Sequence, residues 1–453
     1  MHRKEYYKLS NLVVYLHAVV MFFPNKKVFL LPSGHSAYRT AILLLTIALV
    51  VVFFVERRPK DDVVKVPKLF CFFLFYTIVQ IILIYSIRYF DLDPVKDPTR
   101  INTGTMISGP LLFVNGLLVS FVVLKNRWGY KEFERVFNIL LVGGAVVAVE
   151  CILTFYIGLF PGVLNWANSS DVPREIQLNV FRSIFIYKNH VVGSLGIVIT
   201  SFSLYVWAKS KRKMAIVYLA CGLLLATASD SRAAIFPALT VVVIFTYLAA
   251  RYNWLKRLKD VNLGGIYIMV ASALTVIIFL SVVHDVSKRR SNIYDFNTGI
   301  TRRFDKNIRA LDVFVHRPLG TGLGLNKGYL WNKVIPETIS RHIEKKGDID
   351  IYGYYGGGLH NGIFDITLEL GWVCCIYFFY LLFWEIRVLI RIPKLLKKEK
   401  SWAQRGSVYA IYLMVPALFV SIITTSSVQI YWLFGVLIIF QAFIYKDLCK
   451  KVI

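Results

Sequence analysis

Apolar runs close to or above the ~18–20 residues needed to cross a bilayer recur along this 453-residue chain. That recurrence constrains the fold more than any other feature, because runs of that length predict membrane helices. Twelve spans are expected, at about 9–24, 38–55, 68–89, 105–124, 137–160, 184–208, 214–228, 233–250, 264–284, 362–386, 408–425 and 430–446. The expected fold class is all-α, a polytopic integral membrane protein forming one transmembrane domain over residues 1–453. A mean hydropathy of +0.58 leaves no separate soluble domain of ordinary size. The first run has no small-residue cleavage site behind it, so it reads as a retained helix and not as a signal peptide.

The net charge of +26 raises the possibility of nucleic acid as a partner. Its distribution argues instead for membrane topology and no nucleic acid, because Lys and Arg fall in alternate loops. The N-terminal segment carries Arg3, Lys4 and Lys8, and further basic stretches lie at 56–68, 125–135, 209–213, 251–260, 391–405 and 446–453. By the positive-inside rule all of these, with both termini, are cytoplasmic. The opposite loops are poorer in charge, except the ninth. The cysteines are Cys71, Cys151, Cys221, Cys374, Cys375 and Cys449. The first five lie in apolar runs and no spacing suits zinc, so neither a disulfide framework nor a metal site is expected.

The ninth loop, about 285–360, is too long for a connector, and long ordered loops are usually functional. Within it Phe304, Ile308, Leu311 and Val315 recur at helical spacing with basic residues between them. The spacing predicts an amphipathic helix on the membrane surface, ended near Pro318. The glycine-rich turn at 320–326 lacks the strand–helix context of a dinucleotide fingerprint, though its N–H groups could cup an anion. The fifth loop, about Pro161–Ser183, is the second sizeable outer segment. No internal repeat is visible.

Residues 356–371 place a titratable imidazole, His360, with Asn361, where a glycine-rich outer loop meets an apolar segment. A proton acceptor there suits chemistry at the lipid–water boundary; the bland alternative is a polar cap on a helix. Asp365 and Glu369 follow, four apart and so on one helix face, and Asp365 is placed to orient His360. Four arginines stand on the same outer side. Arg232 lies at the mouth of two helices joined by a short loop, Arg302 and Arg303 head the amphipathic segment, and Arg182 precedes the sixth span. Snorkelling to headgroups or attraction to anionic lipid would account for each one singly. Together they suggest guanidinium forks gathered on a lipid-linked diphosphate, with the imidazole free to take a proton from an incoming hydroxyl. Glu150, in the fifth span, reads as a buried structural hydrogen-bonding group.

These residues resemble the bacterial O-antigen ligase and polymerase superfamily. The ligase motif is His, then Asn, Ser or Gln, nine residues, and Gly; here His360-Asn361 is followed by nine residues and Gly371. A further Gly frequent in the family is Cys374 here. Residues 303–320 resemble the family's loop of Arg, a short helix and a Pro-Leu-Gly turn, with Pro318 and Gly320 matching and Asn307 where an aromatic is common. Ser231-Arg232 resembles its Ser-Arg helix start. The resemblance implies an inner-membrane enzyme working at the periplasmic face on undecaprenyl-diphosphate-linked oligosaccharide. It implies Arg232 and Arg303, with Arg302 and Arg182, as diphosphate ligands and His360 as general base, supported by Asn361, Asp365 and Arg309. Attack on the anomeric carbon would invert it, with no cofactor and no metal, since arginine-neutralised diphosphate already leaves well. Consistent with that, the first outer loop, about 24–36, contains no Asp or Glu.

Polymerases of the superfamily have been described with arginine, ten residues, then glycine in two outer loops, a spacing that Arg182 with Gly193 and Arg309 with Gly320 reproduce. The expectation is therefore a polysaccharide polymerase, with an O-antigen ligase acting on lipid A–core as the alternative and a chain-length regulator in the membrane as a further partner. A transporter or flippase would be expected to show repeated halves, and a non-catalytic envelope scaffold would leave the arginines and histidine incidental. A base must meet its acceptor neutral, so activity is expected to fall on acidification through the ordinary imidazole range, about pH 6.5.

Overall fold

The computed structural model describes residues 8–20, 22, 37–56, 68–88, 103–126, 130–159, 181, 183–184, 189–208, 212–229, 232–251, 311, 314–315, 318–320, 362–377, 379–380, 383, 387 and 417. Among these 91% are helical and none is in a strand, so the all-α expectation holds there. The helices are α1 (Lys8–Val20), α2 (Ala37–Val55), α3 (Lys68–Arg88), α4 (Thr103–Lys125), α5 (Tyr130–Cys151), α6 (Asn189–Ala208), α7 (Arg212–Ala228), α8 (Arg232–Arg251) and α9 (Gly362–Leu370). Among the described residues one helical stretch, Asn138–Tyr156, is long and apolar enough to cross a membrane, and seven apolar stretches are shorter. The expected spans at 264–284, 408–425 and 430–446 lie outside the described residues, as does nearly all of the ninth loop.

Where spans and helices can be compared, apolar runs locate the helices well and their ends less well. The second, third, seventh and eighth spans match α2, α3, α7 and α8 to within two residues. Three others need correction. α5 begins at Tyr130, seven residues before the fifth span, because Lys131, Glu132, Glu134 and Arg135 are adequate helix formers that carry the hydrogen-bonded ladder beyond the apolar run. It continues as a π-turn, Ile152–Tyr156, and stops where Gly158 turns left-handed at φ +75°. The sixth helix starts at Asn189, not at 184. The tenth span is not continuous: α9 ends at Leu370, Gly371 has φ +74°, and helix resumes at 372–377.

α6 is the centre of the bundle, packed on α7, α8 and α5. Every residue from Val191 to Leu204 is buried. Small residues make the closest of these seams. A Cβ on Gly196 would lie 2.6 Å from the Ala226 nitrogen, and one on Gly222 would lie 2.6 Å from the Thr200 nitrogen. The two backbones therefore touch, as small-residue helix pairs allow. By contrast α2 turns outward Leu44, Val51 and Phe54, the last 80% exposed, and α3 exposes Phe72, Phe75 and Ile82. Continuous apolar outer faces of this kind are unusual on water-facing helices.

The two ends of the bundle are polar. At one, Glu56 accepts from Leu9 N–H at 3.1 Å, Ser10 N–H at 2.9 Å and Ser10 Oγ at 2.7 Å, and so caps the first turn of α1. Asn126 joins the cluster by donating to Ser10 Oγ at 2.7 Å. From there the 22-residue α5 runs about 33 Å to Glu150 at the other end. Between the ends His17, Asn115 and Thr46 form a buried chain. Asn115 Nδ2 lies 2.7 Å from His17 Nε2 and donates to Thr46 Oγ1 at 2.6 Å. His17 Nδ1 donates to Val13 O at 2.7 Å, which fixes the tautomer.

Candidate functional site

The end of the bundle that holds Glu150 also holds the residues flanking Arg182 and the start of α8, which carries Arg232. Arg232 opens α8. It follows α7 after a short link, and Ala228 O at the end of α7 accepts Phe181 N–H at 2.9 Å. Arg182 itself lies outside the described residues, yet its neighbours on both sides are placed. Beyond it Ser183 Oγ donates to Glu150 Oε2 at 2.6 Å, and Ile184 N–H donates to Glu150 Oε1. Residues 183 and 184 are thus stitched to α5, and residue 181 to the α7–α8 junction. Gly193, the glycine of the first arginine–glycine spacing, packs on that junction. A Cβ there would stand 2.6 Å from both Ala234 Cβ and Ser229 Oγ.

The second gathering joins the end of the ninth loop to α9. Residues 311, 314 and 315 are helical and 318–319 turn, which agrees with a helix ended near Pro318. Leu311 and Val315 of the expected apolar stripe are exposed, while Phe314, outside the stripe, is 8% exposed and packs its ring 4.2 Å from that of Trp372. Gly320 has φ +87° and lies back to back with Gly371. A Cβ on Gly320 would meet Glu369 O and stand 2.6 Å from Gly371 N; one on Gly371 would meet Pro318 O and stand 2.5 Å from Leu319 C. Two left-handed glycines therefore let two backbone turns approach closer than any side chain permits.

Hydrogen bonds finish this latch. Where α9 breaks, Trp372 N–H is turned away from the helix and donates to Pro318 O at 2.9 Å. The carbonyls left at the end of α9 are taken by α3. Tyr76 Oη donates to Leu370 O at 2.8 Å, and Gln80 Nε2 donates to Leu319 O and, at 3.4 Å, to Glu369 O. Gly371 O accepts Cys374 N–H at 3.1 Å and starts the next helical turn. The break is buried and its backbone groups find partners, as a non-helical point inside an apolar bundle requires.

Of the other designated residues, Asp365 lies in α9, where Glu369, one turn on, is 1% exposed. His360 and Asn361 immediately precede the first residue of α9 and, like Arg302, Arg303 and Arg309, lie outside the described residues. Tyr76 and Gln80 were missed by the sequence reading. The only signal for them was a Tyr and a Gln four apart on one face of an otherwise apolar run. Glu150 is a buried hydrogen-bonding group, as expected.

Residues 214–379 match the family model described as O-antigen ligase, a stretch that runs from α7 through the latch. That match supports the resemblance to the O-antigen ligase and polymerase superfamily that the motifs suggested. No curated protein matches it.

Proposed function

We propose that the chain is a membrane glycosyltransferase that extends a surface polysaccharide. It moves glycan from undecaprenyl diphosphate onto a sugar hydroxyl of a second lipid-linked unit. The observation that carries this reading is the Gly320–Gly371 latch. It ties the end of the arginine-bearing loop to the helix that begins two residues after His360, so donor-binding and base-bearing segments share one anchor. In the reaction the acceptor oxygen attacks the anomeric carbon from the face opposite the diphosphate. The bond to the diphosphate oxygen breaks and its electron pair leaves with the diphosphate, whose charge Arg182, Arg232, Arg302 and Arg303 neutralise. His360 takes the hydroxyl proton, with Asn361 and Asp365 beside it, and Arg309 adds positive charge along the loop. The reaction takes place at the outer face of the bacterial inner membrane, with both termini cytoplasmic. The continuous apolar faces of α2 and α3 support a lipid setting.

The arginine–glycine spacings favour polymerase, since both glycines, Gly193 and Gly320, sit where backbone packs against an element of the site. The family description favours the second reading, a ligase that transfers the glycan to lipid A–core. One assay separates them. Purified protein in lipid is given undecaprenyl-diphosphate-linked repeat units and the products are resolved on a gel. A ladder of longer glycans on the same lipid is expected, and its loss in a folded His360→Ala variant. Transfer seen only after lipid A–core is added would establish the ligase. Full activity of His360→Ala would remove the general-base role from either reading.

A further inference from the structure

The carboxylate of Glu150 is buried, and both its oxygens are used by the two residues that follow Arg182. Before Arg182, Phe181 is 1% exposed, bonded through its N–H to α7 and packed by its ring 6.1 Å from that of Phe155. The residues on either side of position 182 are therefore fixed, one on α7, four residues before Arg232, and the other on α5. A buried carboxylate is costly unless its acceptors are filled. Here both donors that fill them come from the short segment on which a proposed diphosphate ligand sits. Such a bond pair fixes a backbone, and an arginine fork needs a fixed backbone to meet phosphate oxygens bidentately.

We infer that Glu150 is a positioning residue for the donor: by holding residues 183 and 184 it fixes the backbone next to Arg182, a proposed diphosphate ligand. The inference rests on the proposed reading of Arg182 as a diphosphate ligand. It also separates the two conservative changes at this site. Glu150→Ala empties both acceptors. Glu150→Gln keeps an oxygen for Ile184 N–H, and the Ser183 hydroxyl can rotate to accept from the new amide.

The test measures binding of undecaprenyl diphosphate itself, which carries no sugar, to the full chain in lipid nanodiscs. Arg182→Ala is expected to weaken binding on the order of tenfold or more, the loss of a charge-assisted hydrogen bond. Glu150→Ala is expected to weaken it comparably, Glu150→Gln by less than about threefold, and Glu150→Ala in an Arg182→Ala background by nothing further. Should Glu150→Ala fail to fold, Ser183→Ala removes one of the two donors. It is then expected to weaken binding about threefold in the wild type and not at all beside Arg182→Ala. A full additional loss in the double variant, or unchanged binding in Glu150→Ala, overturns the positioning role while leaving Arg182 a ligand. Unchanged binding in Arg182→Ala removes the reading on which the inference stands, and the inference with it.

Discussion

Two seams in this protein are built on glycine, and they use it for different reasons. Between α6 and α7, Gly196 and Gly222 keep ordinary helical backbone and supply only space, so that two straight helices can touch. At the latch, Gly320 and Gly371 supply space and also a left-handed φ, so that two turns can interlock. The first seam is continuous with a long run of buried side chains on α6 and shares its load with them. The second is made of a few backbone contacts with one possible register, held by Tyr76 and Gln80 from α3. Loosening a helix seam should therefore lower stability. Opening the latch should separate the end of the arginine-bearing loop from the helix that follows His360 while most of the bundle stays folded.

The largest effect is expected at the latch. Gly371→Ala must adopt a left-handed backbone, at about 1–2 kcal/mol for a residue with a Cβ. It must also drive that Cβ against the backbone of Pro318 and Leu319, which has no rotamer to yield. Together these exceed about 3 kcal/mol, enough to leave the latch open most of the time. Glycan transfer should fall a hundredfold or more, with little change in the thermal midpoint of the purified protein, and Gly320→Ala should behave alike. Near-normal transfer by either variant would break the distinction between the seams.

Gly196→Ala comes next and tests the other side of the comparison. Its Cβ would lie 2.6 Å from the Ala226 nitrogen, so α6 and α7 must move apart, at about 1–3 kcal/mol. The thermal midpoint should drop by several degrees, and the protein that remains folded should transfer glycan at close to the normal rate. A selective loss of transfer without a loss of stability would mean that this seam, too, belongs to the site.

These two cases mark what can be read from a sequence of this kind. The helices were legible because lipid-length apolar runs have few other solutions, and α2, α3, α7 and α8 lie almost where hydropathy places them. His360-Asn361, Gly371, Pro318 and Gly320 are legible as a pattern, and all of them fall within the 214–379 segment that matches the family model. What the residues do to one another was not legible. Gly371 inside an apolar run looks like any glycine of a membrane helix, since such helices tolerate it. Only the contact with Gly320, fifty-one residues earlier in the chain, shows that the helix breaks there. Phe314 was passed over for the Leu311–Val315 stripe because periodicity reports amphipathicity, not which side meets the protein. Gln80 and Tyr76 were hidden for the opposite reason: the carbonyls they serve exist only because α9 is broken.

That dependence gives the third prediction. Gln80→Leu keeps the volume and removes the donor shared by Leu319 O and Glu369 O. Two buried carbonyls lose a partner, at about 1–3 kcal/mol in total, while the glycines remain in place. Transfer should fall about tenfold, less than for Gly371→Ala, and Tyr76→Phe should cost less again because it frees a single carbonyl. Gln80→Leu combined with Gly371→Ala should be no worse than Gly371→Ala alone, as measured by initial transfer rates. Additive losses would place Gln80 outside the latch.

The smallest effect separates the two ingredients of the latch. Gly158 is left-handed like Gly371, at φ +75°, but a Cβ there would meet nothing within 4 Å. It ends the π-turn of α5, where Leu159 N–H closes on Leu153 O at 2.8 Å, a bond that a Cβ would not obstruct. Gly158→Ala therefore carries the strain of a left-handed backbone and no collision, about 1 kcal/mol. Gly158→Asn should carry less, because asparagine visits that region more readily. Transfer should be unchanged in both and the thermal midpoint slightly lowered in the alanine variant. A transfer loss in Gly158→Ala as deep as in Gly371→Ala would mean that the sign of φ alone explains both sites. The close approach of Gly320 to Gly371 would then have no special role. A small loss confined to stability would leave backbone contact as the reason the two latch glycines cannot be replaced.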